Sequence, residues 1–235
     1  QRMARAHGAM LRDRTPVTSI EARRDEVVVE TADARFSARS LTVAAGPWTA
    51  WAVGRFGLRI PLDVTKEQVI YFAAGDLAAF ALGTFPIWIW MDDPAFYGFP
   101  VFGEPDAVKI TQDAGGRRVD PDTRGFEEDP EITARVRGFV ERYLPAALGP
   151  ARLIKTCLYT LPPDRDFILD TLPEHANVAV AVGAGHGYKF AGVLGRVLAD
   201  LALEGRSPIL EESAGIFALD RAILQMESPP RTYMV

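Results

Sequence analysis

The sequence contains a single cysteine, Cys157, and only three histidines among its 235 residues. One cysteine cannot form an internal disulfide, so nothing in the chain indicates an oxidising compartment, and we expect a cytoplasmic protein. So few histidines and cysteines provide no ligand cluster of the kind that holds zinc, and no serine stands in a G-x-S-x-G context. These absences argue against a metalloenzyme and against a hydrolase.

Long apolar runs and long basic runs are missing as well. The longest apolar run, from Asn177 to Gly185, is far shorter than the roughly 20 residues that a membrane-spanning helix requires, and no secretory hydrophobic region opens the chain. The net charge is -5, and no run of Lys and Arg provides the basic face that nucleic-acid binding needs. We therefore expect neither a membrane nor a nucleic acid as partner.

The G-x-G-x-x-G fingerprint of a dinucleotide-binding unit is also absent. The glycines Gly183, Gly185 and Gly187 have the spacing G-x-G-x-G instead, and they lie far from the start of the chain. Binding of a pyrophosphate by these glycines is therefore the weaker interpretation. The segment from Gln1 to Leu11 is typical of the second half of an amphipathic helix ending near Gly8, which predicts further sequence upstream.

The residues that are present divide the chain into short predicted elements. A hydrophobic share of 48% is sufficient for a buried core, and turn residues at Gly75, 92–94 and 104–106 favour an antiparallel sheet over parallel units. Helices are predicted over 129–144, with Asp129 as N-cap, and over 188–204, with Gly205 as C-cap. The Pro-rich segment 225–235 is expected to be poorly ordered. The predicted strands are 15–20, 26–31 and 35–37 as a meander, 41–46, the aromatic-rich strands 69–72, 85–91, 96–102 and 107–111, and then 151–160 and 177–182.

Several residues allow two interpretations from the pattern alone. Trp88 and Trp90 share one face of a predicted strand, so they either pack on a helix or line a pocket. The segment 46–48 is either a tight turn or a close approach of the backbone to a flat group. Taken in isolation, Cys157 is typical of a small buried hydrophobic residue, and His186 of an ordinary turn.

Lys189 follows the glycines in the first turn of the predicted helix. A helix N-terminus presents free N–H groups and the positive end of the helix dipole, so a cation at this position is unfavourable. The position therefore hints at a bound anion such as a carboxylate, and an exposed, solvated lysine is the alternative.

A series of motifs extends along nearly the whole chain, from about residue 1 to residue 224. In order, the motifs are Ala44-Ala45-Gly46-Pro47-Trp48, Tyr97-Gly98-Phe99-Pro100, Lys109, Lys155-Thr156-Cys157-Leu158-Tyr159-Thr160, Pro163-Asp164-Arg165-Asp166-Phe167-Ile168-Leu169-Asp170 and Gly185-His186-Gly187-Tyr188-Lys189-Phe190. This series resembles the monomeric sarcosine oxidase and N-methyltryptophan oxidase family of FAD-dependent amine oxidases. The Cys-x-Tyr-Thr and Gly-His-Gly-aromatic-Lys-Phe motifs are the specific part of the resemblance.

The resemblance implies a role for each matching position near the cofactor. Cys157 matches the cysteine that bonds covalently to the flavin, and Lys109 matches the lysine at which the reduced flavin meets oxygen, where a fixed positive charge stabilises developing negative charge. Gly185 and Gly187 match positions whose backbone N–H groups approach the pyrimidine end of the flavin. The remaining cofactor-binding positions that the resemblance implies are Val17, Gly46 and Trp48.

The resemblance also implies the substrate side of the site. Lys189 matches the lysine that binds the substrate carboxylate, Tyr97 and Tyr159 match aromatic walls of the cavity, and His186 matches a histidine on the substrate side of the flavin. Asp113 is a departure, since similar sequences often carry a histidine at this position. The family's opening βαβ unit, with its G-x-G-x-x-G loop and its carboxylate-binding arginine, has no counterpart here, and Gln1 corresponds to a point inside the family's flavin domain.

These inferences predict a fold of class α/β plus α+β, with a partial Rossmann-like FAD-binding domain and an antiparallel-sheet substrate domain. Residues 1–58 and 160–224 are assigned to the FAD-binding domain, 59–159 to the substrate domain and 225–235 to a tail. The junction between the two domains then lies at Lys109 and Cys157, where cofactor sites preferentially occur.

The predicted function is FAD-dependent oxidation of a secondary amino acid, N-methyl or cyclic, such as sarcosine. The expected products are an imine, which hydrolyses, and hydrogen peroxide from oxygen, with the protein acting as a monomer. Two alternatives stay open: a related oxidase for N-methyltryptophan or pipecolate, and a truncated, catalytically incomplete chain without bound flavin, because the usual cradle for the FAD phosphates is missing.

Overall fold

The computed structural model of the chain describes residues 1–103 and 106–232. Its strands are β1 Val17–Ala22, β2 Val27–Thr31, β3 Arg35–Ala38, β4 Leu41–Val43, β5 Asp63–Phe72, β6 Trp88–Trp90, β7 Phe96–Phe99, β8 Val108–Gln112, β9 Arg117–Arg118, β10 Ala151–Leu161, β11 Ile168–Leu172 and β12 His175–Val182. Its helices are α1 Arg2–Ala6, α2 Thr49–Gly54, α3 Pro130–Tyr143, α4 Ala191–Glu204, α5 Pro208–Glu211 and α6 Ala222–Gln225.

The strands of the described residues form three sheets. The first is the predicted antiparallel meander β1-β2-β3, and the second has the order β11-β12-β4, in which β12 and β4 are parallel. The third has the order β10-β5-β8-β7-β6, with β9 added on β5, and every pairing in it is antiparallel. The prediction of an antiparallel sheet for the aromatic-rich strands is therefore confirmed.

Proline limits two of the predicted strands of this sheet. The strand predicted over 85–91 is only Trp88–Trp90, which begins after Pro86, and the strand predicted over 96–102 ends at Phe99, just before Pro100. Proline has no N–H to donate to a ladder, so it is excluded from a paired interior. β5 is longer than the predicted 69–72, because its polar first half pairs with β10. The turn predicted at 104–106 falls in part on residues 104 and 105, which lie outside the described residues.

One face of the six-stranded sheet packs against α3. Asp129 caps this helix as predicted, since its side chain accepts hydrogen bonds from the N–H groups of Glu131 and Ile132. The stripe of Ile132, Val136, Phe139 and Val140 is buried against Ile70, Phe72, Phe96, Val108 and Ile110 of the sheet.

The two tryptophans belong to this packed face. The ring of Trp88 stacks on Phe139 at a centroid distance of 5.8 Å, and Trp90 lies 5.7 Å from Phe139 and 4.6 Å from Tyr143. Gly98 provides the space for Trp88, because a Cβ at Gly98 would lie 2.6 Å from the indole ring. Of the two interpretations of Trp88 and Trp90, packing on a helix is the one that the structure supports.

The mixed sheet β11-β12-β4 packs on α4, with Leu169 and Ala179 of the sheet in one hydrophobic cluster with Val197 and Leu201 of the helix. The helix predicted over 188–204 begins with a 3-10 turn, Gly187–Phe190, and becomes α-helical only at Ala191. Gly205 ends it in the left-handed conformation at φ +70°, as the sequence predicted.

The end of the described C-terminal segment contacts the body of the protein. The N–H of Thr232 donates to the carbonyl of Pro163 at 2.9 Å, and Arg231 donates to the carbonyl of Pro61 and lies 3.3 Å from Asp63. These contacts join residues 231 and 232 to the body of the protein, while residues 233–235 lie outside the described residues, and the expectation of poor order for the segment 225–235 stays a prediction. Within the described ranges, no helix has the length and apolar character needed to cross a membrane.

Candidate active site

The second face of the six-stranded sheet carries four of the predicted site residues. Cross-strand partners point to the same side of a sheet, and side chains alternate with period two along each strand. The pairs Phe99 with Lys109, Tyr71 with Lys109 and Glu67 with Cys157 therefore place Tyr97, Lys109, Cys157 and Tyr159 on one face, opposite α3.

Lys109 lies over two aromatic rings of the neighbouring strand. Its Nζ is 4.8 Å from the centre of the Phe99 ring and 5.5 Å from the centre of the Tyr97 ring. Partial burial lowers the pKa of Lys109, and the nearby Cys157 thiol opposes this effect. The arrangement holds a single amine above an aromatic surface, where cation–π attraction fixes its position.

Tyr97 and Tyr159 lie on the same face of the sheet, and each influences the pKa of the other. Burial raises the pKa of Tyr97 to about 12, and burial together with the neighbouring Tyr97 raises the pKa of Tyr159 even further. Both phenols therefore stay neutral over the physiological range and provide hydroxyl groups on an otherwise aromatic wall.

Cys157 is exposed on this face, which rules out the interpretation of a buried hydrophobic residue. Its cross-strand partner Glu67 is buried, with only 3% of its surface accessible. Glu67 accepts hydrogen bonds from the Thr65 hydroxyl at 2.5 Å and from the Gly116 N–H at 3.0 Å, and burial raises its pKa. Glu67 was not among the predicted site residues; the signal that could have identified it is an acidic residue in alternation with Tyr71, next to the predicted strand 69–72.

The protonation of Cys157 is set by several neighbours. Withdrawal from water and then the charge of Glu67 raise the pKa of the thiol, while the positive charges of Lys109 and Arg124 lower it. Arg124 approaches the same strand, with its Nη1 3.5 Å from the Thr156 hydroxyl oxygen. The charges of an acid and of two cations therefore act on the thiol in opposite directions.

The glycine turn lies against the same face through Tyr159. Gly185 has φ +81°, and a Cβ on this residue would lie 2.4 Å from Cδ2 of the Tyr159 ring. Gly183 is packed closely on Gly187, since a Cβ on Gly183 would lie 3.1 Å from the Gly187 Cα. Only glycine combines the left-handed conformation of residue 185 with this close approach, so the turn after β12 is fitted to Tyr159.

His186 and Lys189 contact each other at the end of this turn. The Nζ of Lys189 lies 3.3 Å from the Nδ1 of His186 and donates to the His186 carbonyl at 3.1 Å. Burial and then the charge of Lys189 lower the pKa of His186. Partial burial lowers the pKa of Lys189, the charge of Asp113 opposes this, and the charge of Arg165 adds to it. The imidazole is therefore held neutral beside an ammonium group.

Asp113 forms an ion pair that the sequence did not reveal. Its Oδ2 accepts a hydrogen bond from Nη1 of Arg165 at 2.9 Å, and 1% of the Arg165 side chain is exposed, against 17% for Asp113. The pair joins the end of β8 to the turn before β11. The motif containing Arg165 was recognised in the sequence, but its partner is distant in the chain, so only the structure identifies the pair.

The remaining predicted cofactor-binding residues, Trp48, Gly46 and Val17, lie in other elements than the six-stranded sheet. Trp48 lies in the 3-10 turn Gly46–Trp48, which contacts β10, and its Nε1 donates to Asp122 Oδ1 at 2.7 Å. Gly46 has φ +52° and open space around its Cα. Val17 begins β1 in the meander and pairs with Thr31, so it belongs to a different sheet from Cys157. In the described part of the chain, no group of three or more His, Cys, Asp or Glu residues is arranged to hold a metal ion.

Comparison with curated proteins places the chain beside amine oxidases. It is 35% identical over 230 residues to a monomeric sarcosine oxidase of Bacillus sp. (strain NS-129), covering 96% of this chain and 58% of that protein. It is 32% identical over 215 residues to an N-methyl-L-tryptophan oxidase of Citrobacter koseri, covering 89% of this chain and 55% of that protein. The chain therefore spans somewhat more than half the length of these relatives.

Comparison with solved structures agrees with the predicted fold class. The open form of NikD, described as an unusual amino acid oxidase essential for nikkomycin biosynthesis, superimposes with a TM-score of 0.74 and 27% identity over 88% of this chain and 55% of that one. Glycine oxidase from Geobacillus kaustophilus has the same fold, with a TM-score of 0.76 and 20% identity over 94% of this chain and 55% of that one. The fold class, a partial FAD-binding domain with an antiparallel-sheet domain, is confirmed.

A family model provides the last comparison. The model described as FAD dependent oxidoreductase matches residues 1–201, which is most of the chain. The chain belongs to the FAD dependent oxidoreductase family.

Proposed function

We propose that this chain provides the substrate sheet and one side of the flavin site of an oxidase that converts a secondary amino acid to an imine and oxygen to hydrogen peroxide. The observation that carries the proposal is the convergence of Lys109, Cys157, Tyr97 and Tyr159 on the sheet face that α3 leaves open. Family membership makes FAD the expected cofactor.

The residues on this face fit a flat, electron-poor ring system. The surface contains aromatic rings, the Lys109 amine and the exposed Cys157 thiol, and the acid Glu67 is buried with a raised pKa. Gly185 packs directly against the Tyr159 ring, where a Cβ would lie 2.4 Å from Cδ2 of the ring. In this assignment Cys157 tethers the flavin, while Gly185 and Gly187 offer N–H groups to it, and Gly46, Trp48 and Val17 complete the contacts that the family resemblance implies.

The bound FAD supplies the redox chemistry, namely the acceptance of two electrons from the amine and their transfer to oxygen. Lys109 supplies a fixed positive charge for the negative charge that develops on oxygen. Lys189 binds the substrate carboxylate through a charge-assisted hydrogen bond. The neutral His186 borders the amine, and Tyr97 and Tyr159 exclude water from one side of the substrate.

The substrate is assigned as a small N-methyl or cyclic amino acid. The relatives are named for sarcosine and for N-methyl-L-tryptophan, which share a secondary amine beside a carboxylate. The candidate substrates can be ranked by measuring peroxide formation with a panel of sarcosine, N-methyl-L-tryptophan, pipecolate and proline. Peroxide formation with none of them contradicts the assigned reaction.

The tether is tested by acid precipitation of the purified holoprotein. Yellow colour should remain with the precipitated wild-type protein and be released from the Cys157→Ser variant, because only the thiol forms the bond. Release of the colour from the wild-type protein contradicts the assignment of Cys157.

The role of Lys189 is tested by the Lys189→Met variant. Loss of a charge-assisted hydrogen bond should raise the KM for the amino acid by about 10- to 100-fold. Lys66→Met is the matched control, because the Lys66 ammonium group donates to the carbonyl of Glu127 at the protein surface. An unchanged KM in Lys189→Met removes Lys189 from the substrate site.

A further inference from the structure

We propose that Glu67 accepts the proton of the Cys157 thiol when this thiol bonds to the flavin. This inference rests on the proposed function, since it adds a proton acceptor to the covalent bond already assigned to Cys157. It gives a role to a buried acid that lies outside the recognised motifs.

Glu67 and Cys157 are direct cross-strand partners. Glu67 lies on β5 and Cys157 on β10, and the two residues face each other in the antiparallel register. Directly opposed residues of an antiparallel pair point to the same side of the sheet, with Cβ atoms about 4.5–5.5 Å apart. The acid and the thiol therefore occupy neighbouring positions on the open face of the sheet.

The Glu67 carboxylate is enclosed and held in place. Only 3% of the surface of this residue is accessible, and the carboxylate accepts hydrogen bonds from the Thr65 hydroxyl and, at 3.0 Å, from the Gly116 N–H. A Cβ on Gly116 would lie 2.8 Å from Oε1 of Glu67, so glycine at position 116 permits this close approach. An ionised carboxylate offers about four lone-pair sites, so these two bonds leave capacity for a further proton.

A carboxylate in this position is costly for folding. Transfer of a charged group from water to the protein interior is unfavourable, so a buried acid beside a reactive side chain indicates a functional role. Burial raises the pKa of Glu67, and the hydrogen bond from Thr65 opposes this effect. A carboxylate with a raised pKa is a stronger base than an exposed one, which suits it to take a proton.

The charges around the pair favour a single negative charge that moves between the two groups. The charge of Glu67 raises the pKa of the thiol, whereas Lys109 and Arg124 lower it, and Asp113 raises the pKa of Glu67. The two neutral phenols of the same face add no charge. Once the proton has moved to Glu67, the repulsion between the two groups disappears and the thiolate faces two cations.

The bond between Cys157 and the flavin requires the loss of this proton. Formation of the S–C bond breaks the S–H bond of the thiol and one C–H bond of the 8α-methyl group of the flavin. The two electrons released pass to the flavin ring, and oxygen takes them with two protons as hydrogen peroxide. Oxygen is already the acceptor in the proposed reaction, so no other oxidant is needed. Glu67 supplies the thiolate, which is the nucleophilic form of cysteine.

The test measures two rates in the wild-type protein and in Glu67→Gln, which keeps an acceptor for the Gly116 N–H but cannot take the proton. The first is alkylation of Cys157, the single cysteine of the chain, by iodoacetamide. The second is attachment of FAD to protein prepared without flavin, followed by flavin fluorescence of the acid-precipitated protein. Alkylation at about pH 8 should rise by about 3- to 10-fold, because a negative charge beside the thiol is removed. Attachment should slow by about 10-fold or more, because the proton acceptor is lost.

Two further variants sharpen the comparison. Glu67→Asp keeps a carboxylate that is one methylene shorter, so it should recover part of the attachment rate. Glu30→Gln should change neither rate, since Glu30 forms an exposed ion pair with Arg35 in the meander. An increase in pH should accelerate attachment more in Glu67→Gln than in the wild-type protein, because hydroxide then removes the proton that Glu67 would take.

Opposite changes of the two rates in Glu67→Gln support the inference. If both rates rise, or if attachment is unchanged, Glu67 only repels the thiolate and the inference is overturned. If both rates fall, the role of Glu67 is structural, and unchanged alkylation shows that Glu67 carries no charge beside the thiol. Each of these results overturns the inference while leaving the tether intact. If the wild-type protein attaches no flavin, the assignment of Cys157 as the tether fails, and this inference fails with it.

Discussion

The two faces of the six-stranded sheet are built from the same strands but have different surroundings. On one face, Phe96, Gly98 and Ile110 meet α3 and the rings of Trp88 and Phe139, and the surface is closed. On the other, Tyr97 and Lys109 belong to a surface of mixed chemistry with an exposed thiol. Alternation with period two therefore separates residues that stabilise the fold from residues available for chemistry.

The comparison explains why aromatic residues alone are a poor guide to the site. Trp88, Trp90, Phe96 and Tyr97 are close in sequence, yet only Tyr97 points away from α3. A substitution on the α3 face should lower the free energy of unfolding. A substitution on the open face should change the chemistry of the site or the pH dependence of stability. Four predictions test this separation in order of decreasing effect on the free energy of unfolding.

Phe139→Ala should have the largest effect, because Phe139 stacks on Phe96 at 4.1 Å and also contacts Trp88, Trp90 and Tyr143. We expect a loss of about 3–5 kcal/mol in the free energy of unfolding, measured by urea denaturation. Phe126→Ala is the control, since Phe126 is 72% exposed and its removal should change stability by less than about 0.5 kcal/mol. Similar losses in the two variants contradict the assignment of the α3 face as the core.

Gly185→Ala should have the next largest effect. An alanine at φ +81° costs about 1 kcal/mol in the backbone, and displacement of the Tyr159 ring adds about 1–3 kcal/mol. Gly205→Ala isolates the backbone part, because Gly205 has φ +70° but no atom within 4 Å of an added Cβ. Equal unfolding free energies for the two variants would show that the turn is not fitted to Tyr159.

Glu67→Gln should change how stability depends on pH. Burial raises the pKa of Glu67 in the folded protein, so the stabilising contribution of its protonated form is fully present below the ordinary pKa and is lost as the pH rises through the folded value. The wild-type protein should therefore lose stability relative to Glu67→Gln as the pH increases from about 4 towards neutrality. Denaturation curves at several pH values measure the difference in unfolding free energy between the two proteins. A difference that does not change with pH would contradict the burial of the Glu67 carboxylate.

Lys109→Met should have the smallest effect on folding and a large effect on chemistry. The side chain is half-buried and is not part of the α3 core, so we expect a stability change within about 0.5 kcal/mol. Reaction of the reduced holoprotein with oxygen, followed by stopped-flow absorbance, should slow by a factor on the order of 10²–10³. An unchanged rate would remove Lys109 from the oxygen reaction, with Lys66→Met as the control for loss of a lysine charge.

Much of the local structure could be predicted from the sequence, because short-range signals specify it. The Asp129-Pro130 start of α3, the Gly205 cap of α4 and the antiparallel aromatic strands all follow from capping, turn and alternation rules. The predicted strand ends were wrong where proline ended a ladder, and the first half of β5 was missed because its stability comes from pairing with β10. The domain boundaries at 58–59 and 159–160 stay a prediction.

The site residues were identified in the sequence mainly through a family resemblance. Cys157, Lys109 and Lys189 were named in this way, although composition alone favoured a buried cysteine and left Lys189 ambiguous. Glu67 and the pair Asp113–Arg165 were not assigned any role, since their partners lie on other strands or turns. Proximity between distant positions is a property of the folded chain.

The sequence by itself determined the identity of the strands and helices, the glycine turn and the residue types available for chemistry. These features depend on neighbours in the chain, through φ restrictions, capping and alternation. The tertiary structure decided which face of the sheet α3 covers, that Gly185 lies against Tyr159, and that Asp113 is paired with a buried arginine. Burial and electrostatics depend on distances between residues far apart in sequence, so these properties exist only once the sheet and the turns have packed together.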